Sequence, residues 1–353
     1  MYNYITAVNH ALGRKALAEE EMPGLLPLNF FAKSFFCIND DLRAAKSLLQ
    51  LDAWDRILGK SSYTGLYSVK GLLYIASLNG VVVIDYPNQL VYKILLTKFE
   101  PNFIDNEVSA NSICSKHTPK VVNYFFSGDC SVVVQRMIQG RRRKTWKRWG
   151  SVLERVFPLL MTQKNSPIRL SSVEYVTEIK ESLSRLDHSP FSSKSHGTTK
   201  ANLIFLLQKY SGSFSQYQLF SHGDLTPNNV MEESGRHMLI DFANGGQLSF
   251  SYDLMLQDFY FTKKSTWKNF DKIKFKKNQD SNIFFGKSSY FFSHFEKEYN
   301  VNLTESLIKL SLIISLSEIY IKNYLRHQSD KEWKDGEAML KNVDDICRSI
   351  KLS

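Results

Sequence analysis

Cysteine is scarce in this chain, with four residues in 353: Cys37, Cys114, Cys130 and Cys347. No two stand at CxxC spacing, so neither a structural zinc ribbon nor a disulfide framework is expected, and a reducing compartment fits best. Long apolar runs are missing as well. The N-terminal stretch MYNYITAVNHALGRKALAEEE has no apolar core of signal-peptide length. The most apolar late stretch, Leu307 to Ile319, contains Lys309 and Glu318 and is too short to span a bilayer. A soluble, cytoplasmic protein is the expectation. Acidic residues are the minority charge, 35 Asp plus Glu against 45 Lys plus Arg, for a net charge of +10. That surplus favours anionic partners: nucleotides, phosphorylated glycans, acidic membrane surfaces or nucleic acid. The hydrophobic share of 43% and charged share of 23% exclude a disordered or collagen-like chain.

What is present begins with a helical pattern. Asp40 or Asp41 is placed to cap a helix through LRAAKSLLQLDAWDRIL, with Gly59 just past its end. Residues 1–60 read as a helical N-terminal extension. The pattern then turns to β. LLYIASL, VVVIDY and LVYKILL are rich in β-branched and aromatic residues, and Asn79-Gly80 between the first two is a hairpin signal. A helix is expected around Asp105 to Ser115, followed by two more strands, KVVNYFF and SVVVQRMI. Residues 61–139 therefore predict a small antiparallel sheet with one helix on it. From Gly140 the chain turns basic and then mainly helical, through SVLERVFPLLM, VEYVTEIKESLSRL and ANLIFLLQKY. The Ser-rich stretch from Ser189 to Thr199 reads as a mobile loop. Two long helices are expected near Thr304–Arg326 and Lys331–Ile350. Residues 140–353 make a larger helical lobe, and the fold class is α+β.

The chemistry concentrates in FSHGDLTPNNVMEESGRHMLIDFANGG, residues 220–246. Pro227 places Asp224 and Asn229 on a loop. NVMEE and HMLID then read as a hairpin turning at Ser234-Gly235-Arg236, which returns Asp241 to the end where Asn229 lies. One carboxamide and two carboxylates thus converge. Hard oxygen donors of this kind suit Mg²⁺ carrying phosphates. A free carboxylate among them can orient and deprotonate a hydroxyl.

HGDLTPNN followed by LIDF resembles the catalytic core of the aminoglycoside phosphotransferase and choline kinase group, which has a protein-kinase-like fold. The family pattern is HGD, four residues, N, and later a hydrophobic residue, Asp and Phe or Trp. The resemblance covers about residues 70–260. It implies a bilobal kinase fold with a β-rich small lobe. Asp224 would be the catalytic carboxylate, Asn229 and Asp241 the Mg²⁺ ligands, and His222 a support for the loop. Asp253, twelve residues after Asp241, would hold the catalytic loop through backbone hydrogen bonds. Lys93, central in the third strand, would meet the nucleotide phosphates, with Glu107 of the next helix as its partner. No GxGxxG precedes Lys93. Only the turn at Leu78-Asn79-Gly80 fills the phosphate-covering position, through backbone N–H groups of Asn79 and Gly80.

The implied activity is an ATP- or GTP-dependent phosphotransferase acting on an alcohol group, with Mg²⁺. The acceptor would be a sugar, glycan, aminoglycoside or amino-alcohol. The wording HGDLTP with a later YDL also resembles phosphotransferase-like proteins of bacterial polysaccharide biosynthesis. A protein kinase is disfavoured, because HGD lacks the Arg of HRD, Asp241-Phe242-Ala243 lacks the final Gly of DFG, and no APE follows. A pseudokinase that only binds is the alternative; the three intact residues Asp224, Asn229 and Asp241 count against it. Arg141, Arg142, Arg143, Lys144, Lys147 and Arg148 crowd eight positions, with Trp146 among them and Trp149 next to the last. They suit an anionic acceptor or the inner face of an acidic membrane, where the protein would sit peripherally. No nucleic-acid-binding signature accompanies them. The oligomeric state is not legible.

Overall fold

The computed structural model describes residues 63–69, 72–77, 80–85, 88–96, 102–127, 130–142, 149–186, 194–261, 288–327 and 334–351. The N-terminal helix expected over residues 40–58, Asn79, Arg143 and Lys144 lie outside them. The described residues divide into two compact units. One holds those up to residue 142 together with Pro227–Asn244; the other holds those from residue 149 to Thr226 and from Gly245 onward.

The first unit is built on a six-stranded antiparallel sheet. Its strands are β1 (Tyr63–Val69), β2 (Leu72–Ser77), β3 (Gly80–Asp85), β4 (Leu90–Leu96), β5 (Val121–Ser127) and β6 (Cys130–Arg136), in the order β1-β2-β3-β4-β6-β5. Three strands were expected before the helix and four are found. YTGLYSV, the extra one, interrupts its apolar residues with Gly and Ser and so carries a weak strand signal. Gly80 is the first residue of β3 and pairs with Leu95.

Helix α1 (Phe103–Ile113) starts two residues earlier than the sequence suggests, with Asp105 in its first turn where the helix dipole favours a carboxylate. Phe103 and Ile104 pack on Val133 of β6, with Leu95 and Val108 against them. Lys93 pairs with Val133 across the β4–β6 ladder. Directly opposed residues point to the same face, so Lys93 leaves the sheet on the side that carries α1. On β5, which ends the sheet among the described residues, Val122, Tyr124 and Phe126 are 50%, 52% and 65% exposed.

The hairpin of β10 (Val230–Glu233) and β11 (Arg236–Leu239) belongs to this unit and pairs with the short β7 (Arg141–Arg142). Ser234 and Gly235 have φ of 49° and 77° and lie between the paired Glu233 and Arg236. Two central residues at positive φ define the tight turn whose twist matches antiparallel strands. Gly140 has no room for a side chain, because a Cβ there would stand 2.7 Å from the carbonyl oxygen of Glu232.

The second unit is mainly helical. A three-stranded sheet, β12-β9-β8, is formed by β8 (Ile168–Ser171), β9 (Ser215–Ser221) and β12 (Gly246–Ser249). The helices are α2 (Trp149–Leu160), α3 (Ser172–Arg185), α4 (Lys194–Tyr210), α5 (Tyr252–Phe261), α6 (Ser288–Tyr299), α7 (Glu305–His327) and α8 (Lys334–Lys351). A reciprocal cap sets the start of α3: the Ser171 hydroxyl accepts from the Glu174 N–H, and the Glu174 carboxylate accepts from the Ser171 N–H. The Ser-rich stretch is not a loop from Lys194 onward, where α4 begins. Its apolar continuation, ANLIFLLQKY, extends the helix back over Ser and Thr, whose helix propensity is only modestly poor.

Phe157, Phe250, Phe291 and Phe295 pack as a buried aromatic cluster, with ring centroids 4.9 Å apart for Phe157–Phe291 and 4.5 Å for Phe250–Phe295. Two charges in the apolar part of α7 are resolved locally and distantly. Lys309 pairs with Glu305 one turn back at 2.7 Å. Glu318 accepts from the Tyr175 hydroxyl at 2.6 Å and from the Ser249 N–H. Burial pushes the Glu318 carboxyl up to about 7 and the Tyr175 phenol up as well. No helix among the described residues is long and apolar enough to cross a membrane.

Candidate active site

In the first unit, the hairpin register brings two candidate residues to one end. Val230 pairs with Leu239, and the Ile240 N–H donates to the Asn229 carbonyl at 3.0 Å. Asp241 follows at once. The strand leading to it is tied to the turn after α1: the Leu239 N–H donates to the His117 carbonyl, and the His117 ring Nδ1 donates to the His237 carbonyl. Asp241 has φ of 69°, a left-handed backbone that Asp tolerates better than bulkier residues. Two side chains of α1 grip the segment that follows. Glu107 Oε1 accepts from the Phe242 N–H at 3.2 Å, and Asn106 Nδ2 donates to the Ala243 carbonyl at 3.1 Å.

Lys93 completes the arrangement. Its Nζ lies 2.5 Å from Glu107 Oε1 and 3.7 Å from Asp241 Oδ1. The Lys93 and Glu107 side chains are 11% and 2% exposed, whereas that of Asp241 is 52% exposed. Glu107 is thus buried, Lys93 is part-buried, and the second carboxylate reaches solvent. Among the described residues no group of three or more His, Cys, Asp or Glu gathers into a metal cage. Asn229 and Asp241 offer oxygen donors of the hard kind. Such a set fits Mg²⁺, which takes its remaining ligands from phosphate and water. One polar residue escaped sequence reasoning here. Gln135 of β6 donates from Nε2 to Glu107 Oε2 at 2.8 Å. In an alternating strand it reads as an ordinary polar position.

In the second unit, β9 leads into the loop carrying His222, Gly223 and Asp224. Buried Asn165 holds the strand end, donating to the Phe220 carbonyl and accepting from its N–H. Gly223 has φ of 81°, which favours glycine. The Asp253 carboxylate accepts from two successive amides, His222 N–H at 2.7 Å and Gly223 N–H at 3.0 Å. The Asp224 N–H donates to His222 Nδ1 at 3.3 Å. An accepting Nδ1 leaves the ring proton of the buried His222 on Nε2. The Gln257 amide donates to the Leu225 carbonyl and accepts from the Trp149 indole N–H at 2.7 Å. Trp149 is therefore buried and engaged, and it does not serve a membrane face as the sequence pattern suggested. Arg141 and Arg142 lie in β7, opposite Glu232 and Met231.

Burial is the largest influence on Asp253 and pushes its carboxyl up to about 6, against the opposing pull of the two N–H donors and of Lys322. The unfolded value is about 3.9. The folded chain then holds the extra proton between about pH 4 and 6, so this group's contribution to stability falls as pH rises through that window and is level above it. Asp253→Asn removes the effect. Its unfolding free energy relative to wild type is expected to rise across the same window, as urea titrations at its two ends would read. A relative stability that falls instead would mean that the amide hydrogen bonds outweigh burial.

No protein-family model matches the chain, and no curated protein sequence matches it. Solved structures do. Choline kinase LicA from Streptococcus pneumoniae aligns over 86% of this chain and 99% of its own, with a TM-score of 0.50 and 12% identity. Aminoglycoside phosphotransferase APH(4)-Ia, as a thermostable mutant in complex with ADP and hygromycin B, aligns over 86% and 98%, with a TM-score of 0.47 and 13% identity. Amicoumacin kinase hAmiN, in complex with AMP-PNP, Ca²⁺ and Ami, aligns over 87% and 96%, with a TM-score of 0.46 and 16% identity. The likeness to the choline kinase defines the fold: it is the protein-kinase-like fold.

Proposed function

We propose that this protein is a small-molecule kinase, transferring the γ-phosphate of ATP or GTP to a hydroxyl group of an amino-alcohol, sugar, glycan or aminoglycoside. The observation that carries this reading is the Lys93–Glu107–Asp241 constellation: a part-buried cation held by one buried carboxylate, with a second, exposed carboxylate 3.7 Å away. In the proposed reaction Lys93 contacts the α and β phosphates, and Glu107 keeps its ammonium in place. Asn229 and Asp241 hold Mg²⁺. When bound, the ion supplies charge neutralisation for the nucleotide phosphates. Asp224 orients the acceptor hydroxyl and takes its proton as the oxygen attacks the γ-phosphorus, while the bond from that phosphorus to the β–γ bridging oxygen breaks and ADP or GDP leaves. Asp253 and His222 hold the backbone on which Asp224 stands.

Amino-alcohols take first place in an acceptor panel, because the structure with a TM-score of 0.50 is that of a choline kinase. Glycans of the cell envelope come next, on the HGDLTP and YDL wording and the basic stretch. We place the protein in the cytoplasm, with Arg141, Arg142, Arg143 and Lys144 meeting an anionic acceptor or the inner membrane face. The test is purified protein with Mg-ATP or Mg-GTP and choline, amino sugars, heptoses, aminoglycosides and envelope glycans, run beside Asp224→Ala. Transfer to one acceptor that disappears in the variant supports the reading. Nucleotide binding with no transfer to any acceptor, and no hydrolysis, points to a binding protein instead.

A further inference from the structure

Glu107 is held from three sides within one unit. Oε1 takes both the Lys93 ammonium and the Phe242 N–H; Oε2 takes the Gln135 amide. Gln135 and Glu107 are 3% and 2% exposed. Gln135 pairs with Val91 across the β6–β4 ladder, two residues before Lys93. Alternation along β4 therefore puts Gln135 and Lys93 on the same face, on adjacent strands, both reaching the one helix carboxylate. Phe242 follows Asp241, so the oxygen that steadies Lys93 also steadies the backbone beside the proposed metal ligand.

A carboxylate bound through a single oxygen can still swing about its last torsion, which is a soft one. Gln135 removes that freedom. It also donates without adding charge, leaving the negative charge of Glu107 for Lys93. The charged side chains meeting at this point are Lys93 from β4, Glu107 from α1 and Asp241 from the segment after β11.

We propose that Gln135 is a positioning residue for phosphoryl transfer: by anchoring Glu107 Oε2 it aims Oε1 so that one clamp sets both the phosphate-binding ammonium of Lys93 and the backbone next to Asp241. This rests on the kinase reading above. The bland alternative is that Gln135 merely satisfies a buried polar atom and matters for folding alone.

Two variants of the full chain separate these. Gln135→Leu keeps the bulk and removes the donor. Losing a hydrogen bond to a charged group is expected to weaken Mg-ATP affinity by about tenfold in calorimetry and to lower kcat at saturating nucleotide. A drop in Tm with unchanged affinity and kcat overturns the proposal. Gln135→Glu places two buried carboxyls together, which favours sharing one proton at low pH. The shared proton restores the donor, so nucleotide affinity should approach wild type at low pH. At higher pH it should fall at least tenfold relative to wild type measured at the same pH, as the second charge draws Lys93 away. A Gln135→Glu profile parallel to wild type overturns the proposal, and this measurement decides alone if Gln135→Leu does not fold. Wild type that binds no nucleotide overturns the kinase reading and takes this proposal with it. Wild-type binding left intact by both variants overturns this proposal only.

Discussion

Asp224→Asn is expected to lower kcat by roughly 10²–10⁴-fold while leaving Mg-nucleotide affinity within about twofold. The substitution keeps the size of the side chain and removes its ability to take a proton. Its backbone setting should survive, because the loop is fixed by main-chain groups: Asp253 accepts from residues 222 and 223, and the residue 224 N–H donates to His222. The residues proposed to hold nucleotide, Lys93, Asn229 and Asp241, belong to the other compact unit. Binding and turnover should therefore separate cleanly. Calorimetry with Mg-ATP, paired with single-turnover transfer to the acceptor, makes the comparison. Full transfer by the variant would remove Asp224 from the chemistry, and equal losses in affinity and turnover would reassign it to nucleotide binding.

Lys93→Met should cost more broadly. A methionine fills most of the lysine stem and leaves Glu107 as a buried charge without its cation. Removing one partner of a buried pair costs about 3–5 kcal/mol, and the nearby Asp241 carboxylate adds repulsion once the ammonium between them is gone. Mg-ATP affinity is expected to fall about 100-fold, since the α and β phosphates lose their only strand-borne cation among the described residues of β3, β4 and β6 that face α1. The double variant Lys93→Met with Glu107→Gln distinguishes the two losses. Neutralising the glutamate should return much of the stability, and nucleotide binding should stay lost. Urea titrations with calorimetry on both variants read this. A double variant that also regains nucleotide binding would show that Lys93 serves the fold and not the phosphates.

Much of the candidate site's local geometry was legible because its parts are local in sequence. HGDLTPNN and LIDF sit within twenty-one residues, from His222 to Phe242, and a two-residue turn between short strands forces their ends together. Lys93 could be read from its central place in a β-branched strand, and Glu107 from the helix that follows. Sequence reading failed where a partner is remote. Gln135 finds Glu107 28 residues away, Trp149 finds Gln257 at 108, and Tyr175 finds Glu318 at 143. Periodicity reports which face a residue shares, not what stands opposite. The same blindness made Trp149 look like a surface aromatic beside its basic neighbours. β1 was missed for the opposite reason: its Gly and Ser dilute the strand pattern, and it is the pairing with β2 that makes it a strand.

The last strand of the first sheet bears on how the protein must be handled. Among the described residues β5 ends the ladder, and it shows Val122, Tyr124 and Phe126 to solvent. An end strand with apolar side chains invites a neighbouring molecule to add to it. The net charge of +10 opposes that approach, but only over the screening length, which shrinks from about 30 Å at 0.01 M salt to about 3 Å at 1 M. Raising ionic strength, the usual remedy for a basic protein that sticks to columns and nucleic acid, therefore removes the force that keeps these strand ends apart.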